Sequence, residues 1–382
     1  MILVTGATGF IGGHLVRRLV RDGHQVRAFI RPTSDYSWLE PLGVDIAVGD
    51  LTDALSVRRA VDGCSRVFHC GAMVTDWALP REISAVNVDG TRNVTDAALT
   101  AGVERVVVIS STDVTLRNWY GRTKLAAEAE VRRAVAVGSL GACGLGADGL
   151  GADGFDAVIL RPATVYGPGS REVVLEIARA LRRGQMVLIE NGRANAGLVY
   201  VENLVDAAML AMWPRRTGGE HGTFGPNVRY SDGLAQRSRP DAASGPSGVA
   251  SGDTVTVTDG VDVTWRQFVD DLADGLGCSR ARWNMPYRVA EGLGFGLEHG
   301  YRALRAATGL KTRPLLSRQA VQVMGIDQSF SSMKAREQLG WEPRVDYPSG
   351  LAATLDWLRS ELGSELRSEL RAGGSGVSGD SA

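Results

Sequence analysis

The chain opens on a short unbroken apolar run, Ile2-Leu3-Val4, and passes through glycines at 6, 9 and 12 into a helix-period stretch over 11–22. Leu15, Leu19 and Val20 form the inward side of that stretch. Short β-branched runs then alternate with helical ones: strands over 25–30, 44–48, 66–70, 105–110 and 157–161, helices over 53–62, 83–101 and 120–137. That alternation predicts βαβ units and a parallel sheet. After Pro162 the pattern loosens into a helix at 171–183, a strand at 197–201, a helix at 203–213 and an apolar run at 254–258. Helices follow over 264–276, 286–308, 316–324, 332–339 and 348–362. The fold class expected is α/β, a doubly wound parallel sheet with a smaller, mostly helical C-terminal lobe. Residues 1–165 make the first domain, to which segments near 197–213 and 254–260 return; residues 166–358 make the second.

Three segments lack periodicity. Residues 141–155 hold three tandem glycine-rich pentads and read as an expanded surface loop, while 233–252, rich in Ser, Gly, Ala and Pro, read as a flexible insert. The tail at 359–382 repeats Ser-Glu-Leu before dissolving into Gly and Ser, and extends the last helix at most. With 382 residues, 44% of them hydrophobic, the chain can bury a sizeable core. A net charge of −1 without a Lys/Arg block argues against nucleic acid as a partner. Cys64, Cys70, Cys143 and Cys278 have no metal-ligand spacing, so no disulfide framework or metal site is expected and the compartment is the reducing cytoplasm. No apolar run reaches the length of a spanning helix; Arg288, Glu291, Glu298, Arg302 and Arg305 interrupt the best stretch, 286–310.

Two constellations carry chemistry. The segment Thr5 to Gly12, with Thr8, Phe10 and Ile11 between its glycines, follows a strand and opens a helix. Gly6 permits the turn, Gly9 the approach of a diphosphate, and Gly12 close packing of helix on strand, so a dinucleotide site is expected. Tyr120 and Lys124, four apart, share one face of a helix. A phenol ionises near ~10, and a neighbouring ammonium, helped by a positive nicotinamide ring, is expected to bring it towards the working range of a general acid or base. The preceding strand ends in Ser110-Ser111-Thr112, hydroxyls suited to binding the substrate oxygen on which Tyr120 acts.

At this point the chain resembles the extended short-chain dehydrogenase/reductase superfamily, with its Rossmann-type fold, from residue 1 to about 358. His69-Cys70-Gly71-Ala72 is similar to the fourth-strand end that lines the cofactor, and Asn87-Val-Asp-Gly-Thr91 to a helix motif in which Asn87 supports a proton-relay water. Leu160-Arg161-Pro162-Ala163 and Tyr166-Gly-Pro-Gly169 resemble the segment flanking the nicotinamide. Gly197–Asn203 and Lys334–Pro343 resemble landmarks of the substrate lobe. The resemblance implies that Lys124 also holds the nicotinamide ribose, and that Thr112, with Ser111 second, supplies the catalytic hydroxyl. Asp113 follows as in sugar-nucleotide dehydratases, but Val114 stands where their glutamate would, and the loop to Tyr120 is short. The family implies a homodimer through the helices at 83–101 and 120–137.

Cofactor choice rests on the end of the second strand. Arg31 stands where an acidic residue would favour NAD, and its fork of donors suits a 2′-phosphate, so NADP is favoured over NAD despite Asp35 nearby. Asp50-Leu51 resembles the family's adenine contact. The second lobe looks most like the 3β-hydroxysteroid dehydrogenase and dihydroflavonol reductase branch, through Tyr200-Val-Glu-Asn203 and the helix-rich 286–325 segment. Trp283, Met285, Tyr287, Phe295 and Met324 offer a pocket for a bulky, weakly polar small-molecule alcohol or ketone, or are ordinary core. The rival is a nucleotide-sugar epimerase or reductase, with Arg171, Arg193 and Asn195 for a substrate diphosphate. A non-catalytic cofactor-binding scaffold is the alternative of another class.

Overall fold

The computed structural model describes residues 1–75, 78–116, 118–142, 155–214, 248–308 and 317–374. Most of the 141–155 pentads, most of the 233–252 insert and the end of the tail lie outside them. The strands are β1 (Ile2–Thr5), β2 (Val26–Ile30), β3 (Asp45–Val48), β4 (Arg66–His69), β5 (Arg105–Ile109), β6 (Ala157–Pro162), β7 (Thr164–Tyr166), β8 (Val187–Ile189), β9 (Leu198–Tyr200), β10 (Thr254–Val257) and β11 (Trp283–Met285). Seven of them form one parallel sheet in the order β10-β6-β5-β4-β1-β2-β3. Strand order reverses between β1 and β4, which opens a crevice at the carboxyl ends of the strands.

Both sheet faces are covered, and this explains the unbroken apolar runs. Ile2, Val4, Phe68, Val107 and Leu160 pack on one face with helices Phe10–Arg21 and Val201–Met212. Leu3, Val67, Val106, Val108 and Ile159 pack on the other with helices Ala54–Val61, Gly90–Thr100 and Trp119–Ala142. The helical lobe has its own core, in which Tyr166, Trp265, Phe268 and Leu358 are buried. Asn203 staples the two parts: its Oδ1 accepts from the Arg344 and Val345 amides, its Nδ2 donates to Asp259, and its carbonyl accepts from the Trp341 indole.

Several elements differ from expectation. The single helix over 83–101 is three pieces, Pro80–Ser84, a π-helical turn Ala85–Asp89 and Gly90–Thr100. The bulge coincides with Asn87, whose side chain bonds the neighbouring loop at both ends. The helices at 171–183 and 332–339 likewise contain π-turns, Arg171–Leu175 and Ala335–Leu339. Strands β7, β8 and β11, three residues each, are too short to leave a periodic signal. The last helix, Tyr347–Gly374, runs well past residue 362.

Candidate active site

The sheet brings the candidate residues to one edge, because the carboxyl ends of β6, β5, β4, β1, β2 and β3 lie side by side. Gly6 leaves β1 at φ +65°, where glycine is favoured, and a β-carbon there would lie 2.8 Å from the Gly71 backbone at the end of β4. A β-carbon on Gly12 would overlap the Gly6 carbonyl. The Gly9 amide donates to the Gly6 carbonyl at 2.9 Å, and Gly9 starts helix Phe10–Arg21 with no side-chain cap and no acidic residue in the first turn. The free amides of that turn sit beside half-buried Thr8, Phe10 and Ile11 with no resident carboxylate. This cradle fits a dinucleotide diphosphate.

Next to it, His69 is a strut. Its Nδ1 meets the Thr5 hydroxyl at 2.7 Å and its Nε2 the Thr91 hydroxyl at 3.0 Å. The Thr91 hydroxyl already donates to the Asn87 carbonyl, so Nε2 carries the hydrogen and Nδ1 accepts. Burial, with the Lys124 charge assisting, pushes His69 down to about 3 and keeps it neutral. Leu51 lies against Gly71, the Cys70 thiol is pushed up to about 12 by burial, and Ala72 is half-buried. Asn87 differs from expectation. Both its amide hydrogens are spent, on the Met73 carbonyl and the Thr123 hydroxyl, so it braces the 70–75 loop against the Tyr120 helix and has no donor for a relay water. Asp50 is half committed as well, its Oδ1 accepting from the Thr52 amide and hydroxyl. Arg31 is exposed at the end of β2, and Asp35 is turned onto Ser37, which holds its carboxyl below the usual range. Pro162 closes β6, paired with Val257.

Tyr120 and Lys124 are both buried on helix Trp119–Ala142. The three hydroxyls at the end of β5 separate. Ser110 turns to Glu128, 2.7 Å away, and Thr112 starts the turn Thr112–Thr115. Ser111 is the hydroxyl close enough to Tyr120 to favour the ionised phenol. The better-placed hydroxyl is therefore Ser111 rather than Thr112, because Ser111 is the last extended residue before the chain tightens into that turn. The turn packs directly on the helix start, where a β-carbon on Gly121 would overlap the Asp113 carbonyl.

The electrostatics also differ from expectation. Burial first, then the Asp113 carboxylate, push the phenol above its ordinary range, against the Ser111 hydrogen bond. The Lys124 ammonium donates to the Ile109 carbonyl at 2.7 Å, and burial brings it down to about 8 while Glu128 works the other way. Tyr120 is held protonated, which suits a proton donor.

The helical lobe reaches this site through helix Arg318–Gly325: Gln319 donates to Asp113 at 2.7 Å and Asn118 to Gln322 at 3.3 Å. Of the apolar candidates, Met285, Tyr287 and Met324 pack round Ile189, Ala290 and Val321 as core, while Trp283 and Phe295 are exposed. Arg171 pairs with Glu361 at 2.6 Å and Asn195 bonds Asp262 at 3.2 Å. Arg193 lines an open concavity of about 490 Å³ with Arg266. Sequence reasoning passed over Glu128, Gln319 and the His14–Glu202 bond (2.6 Å), which joins the glycine-turn helix to helix Val201–Met212. Of these only Glu128 left a signal, a third polar residue at the four-residue spacing of Tyr120 and Lys124. Among the described residues no group of His, Cys, Asp and Glu could hold a metal ion, and no helix is long and apolar enough to cross a membrane.

Comparison with known proteins is consistent with this geometry. The model of the NAD dependent epimerase/dehydratase family matches residues 2–224. A 2-alkyl-3-oxoalkanoate reductase of Stenotrophomonas maltophilia is 28% identical over 92% of this chain and 97% of its own length. A 3 beta-hydroxysteroid dehydrogenase/Delta 5-->4-isomerase of Mycobacterium tuberculosis is 28% identical over 97% of this chain and 93% of its own. Among solved structures, MoeE5 in complex with UDP-glucose and NAD superposes with a TM-score of 0.62 at 25% identity, covering 94% of this chain and 99% of that one.

Proposed function

The chain belongs to the NAD dependent epimerase/dehydratase family as a nicotinamide-dependent oxidoreductase, and on that premise we propose that it transfers a hydride to or from the carbonyl or carbinol carbon of a bulky, weakly polar ketone or alcohol. The observation that carries this reading is the placement of buried Tyr120, with Ser111 beside it, one helical turn from Lys124 at the crevice edge of the sheet. The names of the full-length relatives, a ketoacid reductase and a hydroxysteroid dehydrogenase, support the substrate class.

The 6–12 turn, Leu51, Gly71 and Pro162 would hold a nicotinamide dinucleotide, which would supply the hydride chemistry. Ser111 orients the substrate oxygen. Tyr120 gives it a proton as the carbonyl is reduced and takes one back in the reverse direction. Lys124 places its positive charge at the end of β5, where it would hold the nicotinamide ribose. Exposed Arg31, with Asp35 turned away onto Ser37, favours NADP. The epimerase reading is weaker because Arg171 and Asn195, two of its three diphosphate candidates, are bonded to protein carboxylates.

Tyr120→Phe tests the assignment. Turnover should fall by at least about 100-fold, the range of general acid–base catalysis, with cofactor affinity from nicotinamide fluorescence unchanged. Retained turnover would remove Tyr120 from the chemistry.

A further inference from the structure

We propose that Asn118 is a positioning residue for Tyr120, capping the helical turn that carries the phenol, and that Gln322 of the helical lobe holds this cap in its working orientation. The inference rests on the reading of Tyr120 given above.

Helix Trp119–Ala142 begins one residue before Tyr120, so the phenol stands in a first turn, whose amides have no partner inside the helix. Asn118 fills the capping position. Its Oδ1 accepts from the Gly121 amide at 2.7 Å, and its carbonyl accepts from the Arg122 amide at 3.2 Å. The two bonds close the turn round Tyr120. From the sheet side the Tyr120 carbonyl accepts from the Thr123 hydroxyl, which Asn87 braces in turn. An uncapped turn frays, and fraying moves the phenol relative to Lys124, one turn further on.

The cap has a fixed polarity. Because Oδ1 faces the Gly121 amide, the Asn118 amide nitrogen faces the lobe, where it donates to Gln322 Oε1 at 3.3 Å. Gln322 is oriented by the same bond, and its own nitrogen donates to Glu291 Oε1 at 3.5 Å. A one-way chain of donors therefore runs from the Tyr120 helix through two amides to a carboxylate on helix Tyr287–Thr308. Asn118 is 3% exposed and Gln322 1%, so neither can turn away without leaving a buried donor or acceptor unmatched. The placement ties this chain to the reaction centre. Gln319 and Gln322, one turn apart on helix Arg318–Gly325, reach the two ends of one connection: Asp113, two residues after Ser111, and Asn118, two residues before Tyr120.

Three substitutions separate the parts. Asn118→Ala removes the cap. Asn118→Ser keeps an accepting oxygen for Gly121 and has no amide for Gln322 to orient. Gln322→Met keeps the bulk of the side chain and cuts the lobe from the cap. Each is measured on the full chain in two ways: hydrogen exchange of the peptide covering residues 118–124, read by mass spectrometry, and steady-state kinetics with a sterol-like ketone as the probe substrate.

Asn118→Ala should speed exchange at the Gly121 amide by about 5-fold or more, the strength of a typical cap, and lower kcat by a similar factor with KM and cofactor affinity unchanged. Asn118→Ser should recover most of both. Gln322→Met should give a smaller change in the same two readouts, about 2-fold, that disappears in the Asn118→Ala background. Unchanged exchange in Asn118→Ala, faster exchange with a wild-type kcat, or additive effects of the two substitutions would overturn the inference. Should Asn118→Ala fail to fold, the Asn118→Ser background decides, since the Gln322→Met effect should vanish there and its persistence counts against the cap. Exchange does not depend on turnover. Retained activity in Tyr120→Phe would therefore defeat the reading of Tyr120 while exchange still judges Asn118.

Discussion

The crevice edge of the sheet and the helical lobe that faces it are built on different terms. At the sheet edge the buried polar groups are saturated by short bonds: His69 between Thr5 and Thr91, Asn87 between Met73 and Thr123, Glu128 among Ser110, Arg161 and Arg132. Such networks leave little freedom to the hydroxyl, phenol and amine they surround. Among the described residues the lobe reaches the site through side-chain bonds from helix Arg318–Gly325, and the neighbouring helix Tyr287–Thr308 leaves Val289, Leu293, Leu297 and Leu304 about half exposed. The candidate reaction centre stands on a frame of satisfied buried polar groups, while the facing lobe leaves more of its apolar surface exposed.

The contrast can be broken at either side. The largest change is expected at the cofactor. Arg31→Asp should move the NADP/NAD preference towards NAD by about 100-fold, ~3 kcal/mol, because a paired guanidinium is replaced by a charge that repels a 2′-phosphate. An unchanged ratio would show that the 2′-phosphate is bound elsewhere.

A smaller change tests the rigidity of the frame. His69 stays neutral in the fold down to about 3, whereas in the unfolded chain it takes up a proton below about 6.5. The unfolded state therefore binds more protons as pH falls, and the stability contributed by His69 is present above pH ~6.5 and lost as pH falls towards pH ~3. Between pH ~6.5 and pH ~5 the loss is about 2 kcal/mol, and His69→Gln should abolish that part of the acid slope in urea denaturation. An identical slope in wild type and variant would mean that the strut is not neutral. The smallest effect belongs to the lobe. Gln319→Leu, which cuts the bond to Asp113, should cost less than ~1 kcal/mol in stability and act on KM, leaving kcat in place. A collapse of kcat would place the lobe inside the reaction centre and erase the contrast.

The same division decided what could be read from the sequence. The glycine turn and the Tyr120–Lys124 pair are legible because their geometry is local: three glycines between a strand and a helix, and two residues on one helical face. The parallel sheet follows from runs apolar on consecutive positions. Ser111 was ranked second to Thr112, because which hydroxyl meets the phenol depends on where the chain turns from extended backbone into the Thr112–Thr115 turn. The phenol was expected to be lowered by Lys124 together with a nicotinamide ring; in the fold its neighbours are Asp113 and apolar bulk, while Lys124 is drawn to Ile109. Contacts such as Asp113–Gln319, 206 residues apart, have no local signature at all. Asn87 was singled out for a relay water, and its bonds to Met73 and Thr123 appear only once the π-turn is in place.

The central claim, that this edge moves a hydride to a substrate carbon while Tyr120 supplies the proton, has a direct test. A panel of sterol-like ketones, flavanonols, 3-oxoalkanoates and UDP- or dTDP-sugars is incubated with C4-deuterated reduced nicotinamide cofactor, and the products are read by mass spectrometry. The result expected is deuterium on the carbinol carbon of a bulky, weakly polar product, with cofactor oxidised in equal amount. A sugar nucleotide converted to its epimer with no net cofactor oxidation would contradict the claim.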